Sequence, residues 1–385
     1  MTESEALRQQ LVDDLRRGDL LRSERVYEAF ATVPRHLFVP DQPLVDVYTD
    51  RAFVTKQVEG IGVSSSSQPS IMAVMLEQLE LEPGQRVLEI GAGTGYNAAL
   101  LSRVVGVGGH VTTVDIDDET AKGAEEHLRS AGYERVQVVT GDGGFAFAEN
   151  APYDRIIATA SCWQIPVPWI DQLVEGGLLV LPFRLNGVHV ALALRKHDGV
   201  LVSERTCECG FMPLRGEFGR LYADRVGPDL GVWADCEVDE PMKAAVARLL
   251  GQERQVRLRF PRRRDRRNGP LYYLALQGRP MLQLLRRPLG REPAFLLFVS
   301  PESAVALSWE RPKDGRVTVL GTDEALDFLK DAVERWRDEG QPGVRDLRVR
   351  VQPSADETLG ALPQVVDGRY TLRRGEHVYA LWFER

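Results

Sequence analysis

Cysteine is scarce, at 4 residues in 385, and histidine numbers only 6. Cys207 and Cys209 form a C-x-C pair with no second pair after it, while Cys162 and Cys236 stand alone. That pattern gives neither a disulfide framework nor the paired ligands of a zinc site, so no metal is expected and the thiols read as reduced. Long apolar runs are also missing. None approaches the ~18 residues of a membrane span. The opening MTESEALRQQ is acidic and polar, unlike a secretory signal, so a cytoplasmic protein with no membrane partner is expected. Positive charge is not in excess: the net charge of −8 speaks against a general nucleic-acid binder. No motif ties His36, His110, His127, His189, His197 or His377 to a nucleophile, so a Ser–His–Asp unit is not expected. No repeat at solenoid periods is present.

What is present is a chain with 43% hydrophobic residues, long enough for two or three domains. Leu7, Leu11, Leu15, Val26 and Phe30 fall near helical spacing, which predicts amphipathic helix over 1–33. VPRHLFVP (33–40) follows, then a connector and the run SSSSQP (64–69). A helix is predicted over 70–81, closed by Pro83-Gly84. From residue 86 strands and helices alternate: strands at 86–90, 110–116, 136–142, 153–161 and 178–183, helices at 96–105, 119–132 and 169–177. Continuous apolar strands between helices predict an α/β fold, with a mainly parallel, doubly wound sheet covered on both faces. The rhythm breaks near GFMPLRGEFG (210–219). Beyond it lie predicted helices at 240–251 and 323–340 and β-rich stretches, among them LYYLALQG (271–278), AFLLFVS and HVYALWFE. This second region reads as a separate α+β domain. The division expected is 1–215 and 216–385.

The strongest local signal is VLEIGAGTGYNAALL (87–101), a strand running through Gly91, Gly93 and Gly95 into a helix. Glycines allow a tight turn and let a ligand touch the main chain at the positive end of a helix. The spacing is G-x-G-x-G and not the G-x-G-x-x-G of dinucleotide binders, which disfavours NAD and a pyrophosphate ligand. Glu89 sits in the first strand end and Asp115, with Ile116 after it, in the second. Gly141-Asp142-Gly143 closes the third. Carboxylates at successive strand ends suit a nucleoside: Asp115 for both ribose hydroxyls, Asp142 near an adenine edge. Each acid alone reads equally well as an ordinary turn residue. The set points to S-adenosylmethionine, an adenosine without phosphates.

Over about residues 15–215 the chain resembles the protein-L-isoaspartate O-methyltransferase family. VPRHLFVP resembles its V-P-R-x-x-F-V-P, VYTDRAF its Y-x-D-x-x-L/F, and SSSSQP ends like its T-I-S-Q-P. VLEIGAGTGY and GDG resemble its cofactor motifs, and FMPLRG the end of its catalytic domain. The resemblance implies a class I (Rossmann-like) methyltransferase fold and an aspartyl or isoaspartyl carboxylate as methyl acceptor. Aligning Gln68-Pro69 places Ser67 on the family's active-site serine and Ser65 on its threonine, so Ser67, Ser65 and Gln68 are the candidate catalytic residues. Ser66 departs from the usual isoleucine. Without the resemblance a serine run reads as a solvated linker.

The added region, about 170 residues, carries RQVRLRFPRRRDRRNGP (254–270). Its run from Arg254 to Arg267 reads either as a solvated basic loop or as a docking patch for an acidic leader. Longer relatives of this kind are similar to enzymes that methylate one aspartate in a ribosomally made precursor peptide (lanthipeptide or graspetide type), leading to succinimide or isoaspartate. That implies a precursor peptide as partner. The alternatives are a general repair enzyme acting on isoaspartate in damaged proteins, and an inactive cofactor-binding, peptide-docking protein.

Overall fold

The computed structural model describes residues 2–58, 61–220, 222–227, 230–258, 268–286, 294–308, 316–354, 358–366 and 369–384. The chain forms two units: residues 1–182, 191–205 and 209–219, and residues 183–190, 206–208 and 220–385.

The first unit opens with two helices where one helical stretch was expected, α1 (Glu3–Arg17) and α2 (Glu24–Thr32). Thr2 and Glu5 cap α1 reciprocally, and Ser23 restarts the helix by accepting the Val26 N–H. Asp19, with φ of 58°, turns the chain between them. The short helix α3 (Leu44–Val47) follows. The serine run is no linker. It forms β2 (Ile61–Ser66), paired antiparallel with β1 (Phe53–Val58), and leads directly into α4 (Pro69–Gln78).

The alternating region then unfolds nearly as its pattern predicts: β3 (Arg86–Ile90), α5 (Tyr96–Val105), β4 (His110–Asp115), α6 (Asp118–Ser130), β5 (Gln137–Thr140), β6 (Tyr153–Ala158), α7 (Val167–Gln172) and β7 (Leu173–Leu185). The helix predicted over 169–177 ends early, because Gly176 takes φ of 73° within the strand and Gly177 follows it. Two strands escaped the sequence reading, β8 (Val188–His197) and β9 (Val200–Glu208). They follow the two-residue turns Asn186-Gly187 (φ 47° and 90°) and Asp198-Gly199 (φ 51° and 75°), whose positive φ values suit tight hairpins.

Within a larger sheet, the strands β7-β6-β3-β4-β5 lie side by side in that order, and each neighbour pair among these five is parallel. From β3 the chain winds outward through β4 to β5, then returns to the other side of β3 with β6. The order therefore reverses beside β3, and its carboxyl end faces the crevice where open α/β sheets bind ligands. β3 and β4 are almost wholly buried, which explains their unbroken apolar runs.

In the second unit the elements are β10 (Tyr222–Gly227), β11 (Leu230–Ala234), α8 (Glu240–Leu249), β12 (Glu253–Arg257), α9 (Gly269–Ala275), β13 (Met281–Arg286), β14 (Ala294–Ser300), β15 (Ser303–Ser308), β16 (Arg316–Gly321), α10 (Glu324–Asp338), β17 (Leu347–Pro353), β18 (Gln364–Val366), β19 (Arg369–Arg374) and β20 (His377–Phe383). An antiparallel sheet ordered β10-β11-β13-β14-β15-β16-β12 packs apolar residues such as Leu282, Leu296 and Leu320 against Val246 and Leu249 of α8. LYYLALQG, expected as β-rich, is largely the helix α9. Gly269-Pro270 opens it, where proline costs no helical hydrogen bond, and its complete burial left no period to read. Arg254 and Arg257 lie on β12, where Arg254 pairs with Asp323. The rest of the arginine run, within 259–267, falls outside the described residues.

Candidate active site

Beyond β3 the chain turns through Gly91 (φ 96°), Gly93 (φ 53°) and Gly95 (φ 86°). These conformations disfavour L side chains. Space forbids them as well: a Cβ on Gly91 would stand 2.6 Å from Thr159 Oγ1. Thr159, just past β6, holds the turn by donating its hydroxyl to the Gly91 carbonyl at 2.7 Å. Gly95 caps α5 without a side chain, so the first N–H groups of that helix keep their positive end toward the turn.

Three acids stand at the strand ends, and the structure separates their environments. Glu89 is fully buried. Its Oε1 accepts from Asn97 Nδ2 at 2.7 Å and its Oε2 from the Thr113 hydroxyl at 2.6 Å. Burial pushes its carboxyl up to about 7, with nearby Asp115 adding to the rise and the two hydrogen bonds opposing it. Asp115 accepts the Gly93 N–H at 3.1 Å on Oδ2 and the Asp117 N–H at 3.1 Å on Oδ1. The Arg215 guanidinium stands 3.8 Å from Oδ1. Asp142 accepts the Gly144 N–H at 2.8 Å on one oxygen and the Glu217 N–H at 2.7 Å on the other. Its carboxylate thus ties the turn after β5 to the 212–217 loop.

The serines are held from below. Arg35, wholly buried, donates to the carbonyls of Val47 (2.8 Å), Thr49 (3.3 Å), Arg51 (3.0 Å) and Ser67 (3.0 Å). Gln68 donates to Asp50, whose other oxygen accepts the Ser70 N–H at 2.8 Å at the start of α4. Lys56 on β1 pairs with Asp117 at 2.8 Å and with Glu119 at 2.7 Å, fastening the hairpin beside the end of β4. The Ser66 hydroxyl is buried with no hydrogen-bond partner among the described residues.

Glycine turn and serine run line one and the same cleft. Of the residues the sequence singled out, Ser65, Ser67, Glu89, Gly91, Gly93, Asp115, Ile116 and Gly143 line it. Gln68, Gly95, Gly141 and Asp142 do not line it. Gln68 and Asp142 spend their polar atoms on the loops beside it. Sequence reasoning missed Asn97, Thr159, Met212 and Arg215. Asn97 carries the one legible signal, lying eight positions after Glu89 on the first turn of α5. Thr159 and Arg215 come from distant segments, and only the fold brings them here. The cleft's donors and acceptors fit S-adenosylmethionine. Asp115 has lone pairs left for vicinal hydroxyls, and Ile116, 38% exposed, offers a plate for a flat ring.

A parallel, doubly wound sheet with this turn at its switch point is a class I fold, and the protein is a methyltransferase dependent on S-adenosylmethionine. The chain belongs to the protein-L-isoaspartate(D-aspartate) O-methyltransferase family, whose profile matches residues 6–219. It is 42% identical over 221 residues to the protein-L-isoaspartate O-methyltransferase of Hyperthermus butylicus, covering 55% of this chain and 90% of that relative. With the enzyme of the same name from Staphylothermus marinus it shares 40% identity over 220 residues, covering 55% and 95%. A solved protein-L-isoaspartate O-methyltransferase superposes with a TM-score of 0.54 at 26% identity, covering 89% of this chain and 96% of its own. That likeness extends well beyond residue 219.

Proposed function

We propose that this chain transfers the methyl group of S-adenosylmethionine to the free carboxylate of isoaspartyl residues in damaged proteins. The observation that carries the reading is the meeting of two loops in one cleft. The Ser65 carbonyl lies 3.2 Å from where a Cβ on Gly93 would stand, so the serine segment rests on the glycine turn. An acceptor held by the serines would face a methyl donor held by the turn.

The cofactor, when bound, supplies a methyl group already activated by its sulfonium. The acceptor, with a carboxylate pKa near ~4, is already an anion at neutral pH, so no general base is needed. One acceptor oxygen forms the new C–O bond while the methyl–sulfur bond breaks and its electron pair stays on sulfur. What this chain contributes is alignment, a proximity effect worth up to roughly 7–11 kcal/mol in ideal cases. In this reading Asp115 takes the ribose hydroxyls, Ile116 covers the ring, and Gly91 to Gly95 receive the amino-acid tail. Ser67 donates its neutral hydroxyl to the acceptor, with Ser65 beside it. A neutral donor orients the carboxylate without trapping it in the ground state. The ester formed then loses its alcohol to the next backbone nitrogen, giving a succinimide, in a step that needs no enzyme. Residues 1–215 carry this chemistry, and 216–385 act as an accessory domain.

A dedicated precursor peptide is the second reading, resting on the Ser66 departure and the arginine-rich segment. The appended region does not by itself favour it, since the solved relative covering 89% of this chain bears the plain family name. A methyl-ester mass assay separates the two. A linear isoaspartyl peptide is expected to be methylated, and Ser67→Ala to slow it tens- to hundreds-fold, about 1.5–3 kcal/mol for one hydrogen bond to a charged group. Faster methylation of an L-aspartyl residue in a cyclised peptide with an acidic leader would reverse the order.

A further inference from the structure

Among the described residues lining the cleft, Arg215 is the one cation, against two acids, Glu89 and Asp115. The two reactants differ in charge where they react. The methyl donor brings a sulfonium, and the acceptor brings a carboxylate. Besides that sulfonium, an anionic acceptor entering this cleft finds one opposite charge among its described lining residues, Arg215. Arg215 is placed to move. Its side chain is 37% exposed, and its pair with Asp115 is loose at 3.8 Å, beyond hydrogen-bond length. The main chain carrying it is fixed, with the Leu214 N–H donating to the Ser161 carbonyl at 2.8 Å and the Glu217 N–H to Asp142 at 2.7 Å. A mobile guanidinium on a fixed base can turn from one carboxylate to another.

We propose that Arg215 recruits the acceptor carboxylate, and that its pairing with Asp115 makes this depend on the cofactor. Without cofactor the guanidinium rests against Asp115. Ribose hydroxyls occupying Asp115 free it for the acceptor. Arg215 is thus the residue that selects an anionic acceptor, and cofactor and acceptor strengthen each other's binding. The inference rests on the isoaspartyl reading above. The acceptor loses its charge as the methyl group arrives, so a guanidinium contact favours the ground state: it lowers KM and does not raise kcat.

The test compares wild type, Arg215→Gln and Arg215→Lys with a linear isoaspartyl peptide at low and high salt, alongside calorimetry with S-adenosylmethionine alone. For Arg215→Gln the peptide KM should rise roughly ten- to a hundredfold, the size of one charged hydrogen bond, with kcat not reduced. The wild-type KM should climb with salt more steeply than that of Arg215→Gln, since screening weakens the attraction that Arg215 alone supplies. Arg215→Lys should keep the salt dependence and part of the affinity. Cofactor affinity measured alone should be unchanged or tighter in Arg215→Gln. An unchanged peptide KM in an active, folded Arg215→Gln overturns the inference and leaves the isoaspartyl reading standing. Weakened cofactor binding in Arg215→Gln also overturns it, assigning the guanidinium to the cofactor's own carboxylate. No methylation of isoaspartyl peptide by wild type removes the functional reading and this inference with it.

Discussion

Arg35 and Ser67 lie 32 positions apart, and the Arg35 Nη2 donates to the Ser67 main-chain carbonyl at 3.0 Å. The same guanidinium takes up three more carbonyls, at Val47, Thr49 and Arg51. One cation thereby gathers the connector after α2, the entry to β1 and the end of the serine run. It also stands over the Phe53 ring at 5.3 Å. VPRHLFVP thereby serves the serine motif: its arginine fixes the main chain that carries the Ser67 hydroxyl.

Arg35→Ala should therefore lower stability by about 3 kcal/mol or more, since several buried carbonyls lose their donor at 1–3 kcal/mol each. Arg35→Lys should recover only part, because an ammonium cannot span four acceptors as a planar fork does. Urea unfolding of both variants measures this. Activity in Arg35→Lys should fall further than its remaining folded fraction, because the serine loop loses its register.

Asp115→Ala should weaken S-adenosylmethionine binding by about 1–3 kcal/mol through lost ribose contacts. Part of that loss comes from the turn itself, since the Gly93 N–H also loses its acceptor. Asp115→Asn keeps an acceptor for one N–H and should fall between wild type and alanine. Calorimetry on the three proteins gives the ranking.

Asp142, expected near the adenine, also accepts main-chain N–H groups on both of its oxygens. Asp142→Asn turns one acceptor into a donor facing an N–H, and should cost about 1–2 kcal/mol of stability. The loosened 212–217 loop should raise the acceptor KM more than the cofactor dissociation constant. Cofactor binding weakened as strongly as in Asp115→Ala would instead favour the adenine contact.

The alternation from β3 to β7 was legible because buried parallel strands are continuous and apolar, and Gly95 and the N-cap Asp117 mark where α5 and α6 begin. The glycine turn was legible because its backbone excludes other residues. The serine strand was not, since four serines carry no apolar alternation, and β1 supplies the reason they extend. β8 and β9 hid behind Asn186-Gly187 and Asp198-Gly199, dipeptides that signal hairpins. α9 was misread because a short, wholly buried run has no face. Arg215 and Thr159 could not be placed from spacing, as each reaches the cleft through tertiary structure alone.

Glu89 gives the fold a pH dependence whose sign is fixed. Its carboxyl is raised from 4.5 to about 7, chiefly by burial. Between those values the folded chain holds a proton that the unfolded chain has released, so stability falls as pH rises through this window and levels off above about 7. The full effect is on the order of 3 kcal/mol. Glu89→Gln removes the titrating group while keeping an amide able to bond Thr113, and Asn97 can turn its own amide to match. The variant should melt higher than wild type at pH 8, match it near pH 5, and show a flatter profile between, as thermal unfolding across pH would record. The same carboxyl lines the cleft, and a cation brought there favours its ionised form. Binding of S-adenosylmethionine should therefore release protons near neutral pH and tighten as pH rises through about 7. Calorimetry in two buffers of different ionisation enthalpy would count them in wild type, and Glu89→Gln should release none through this group.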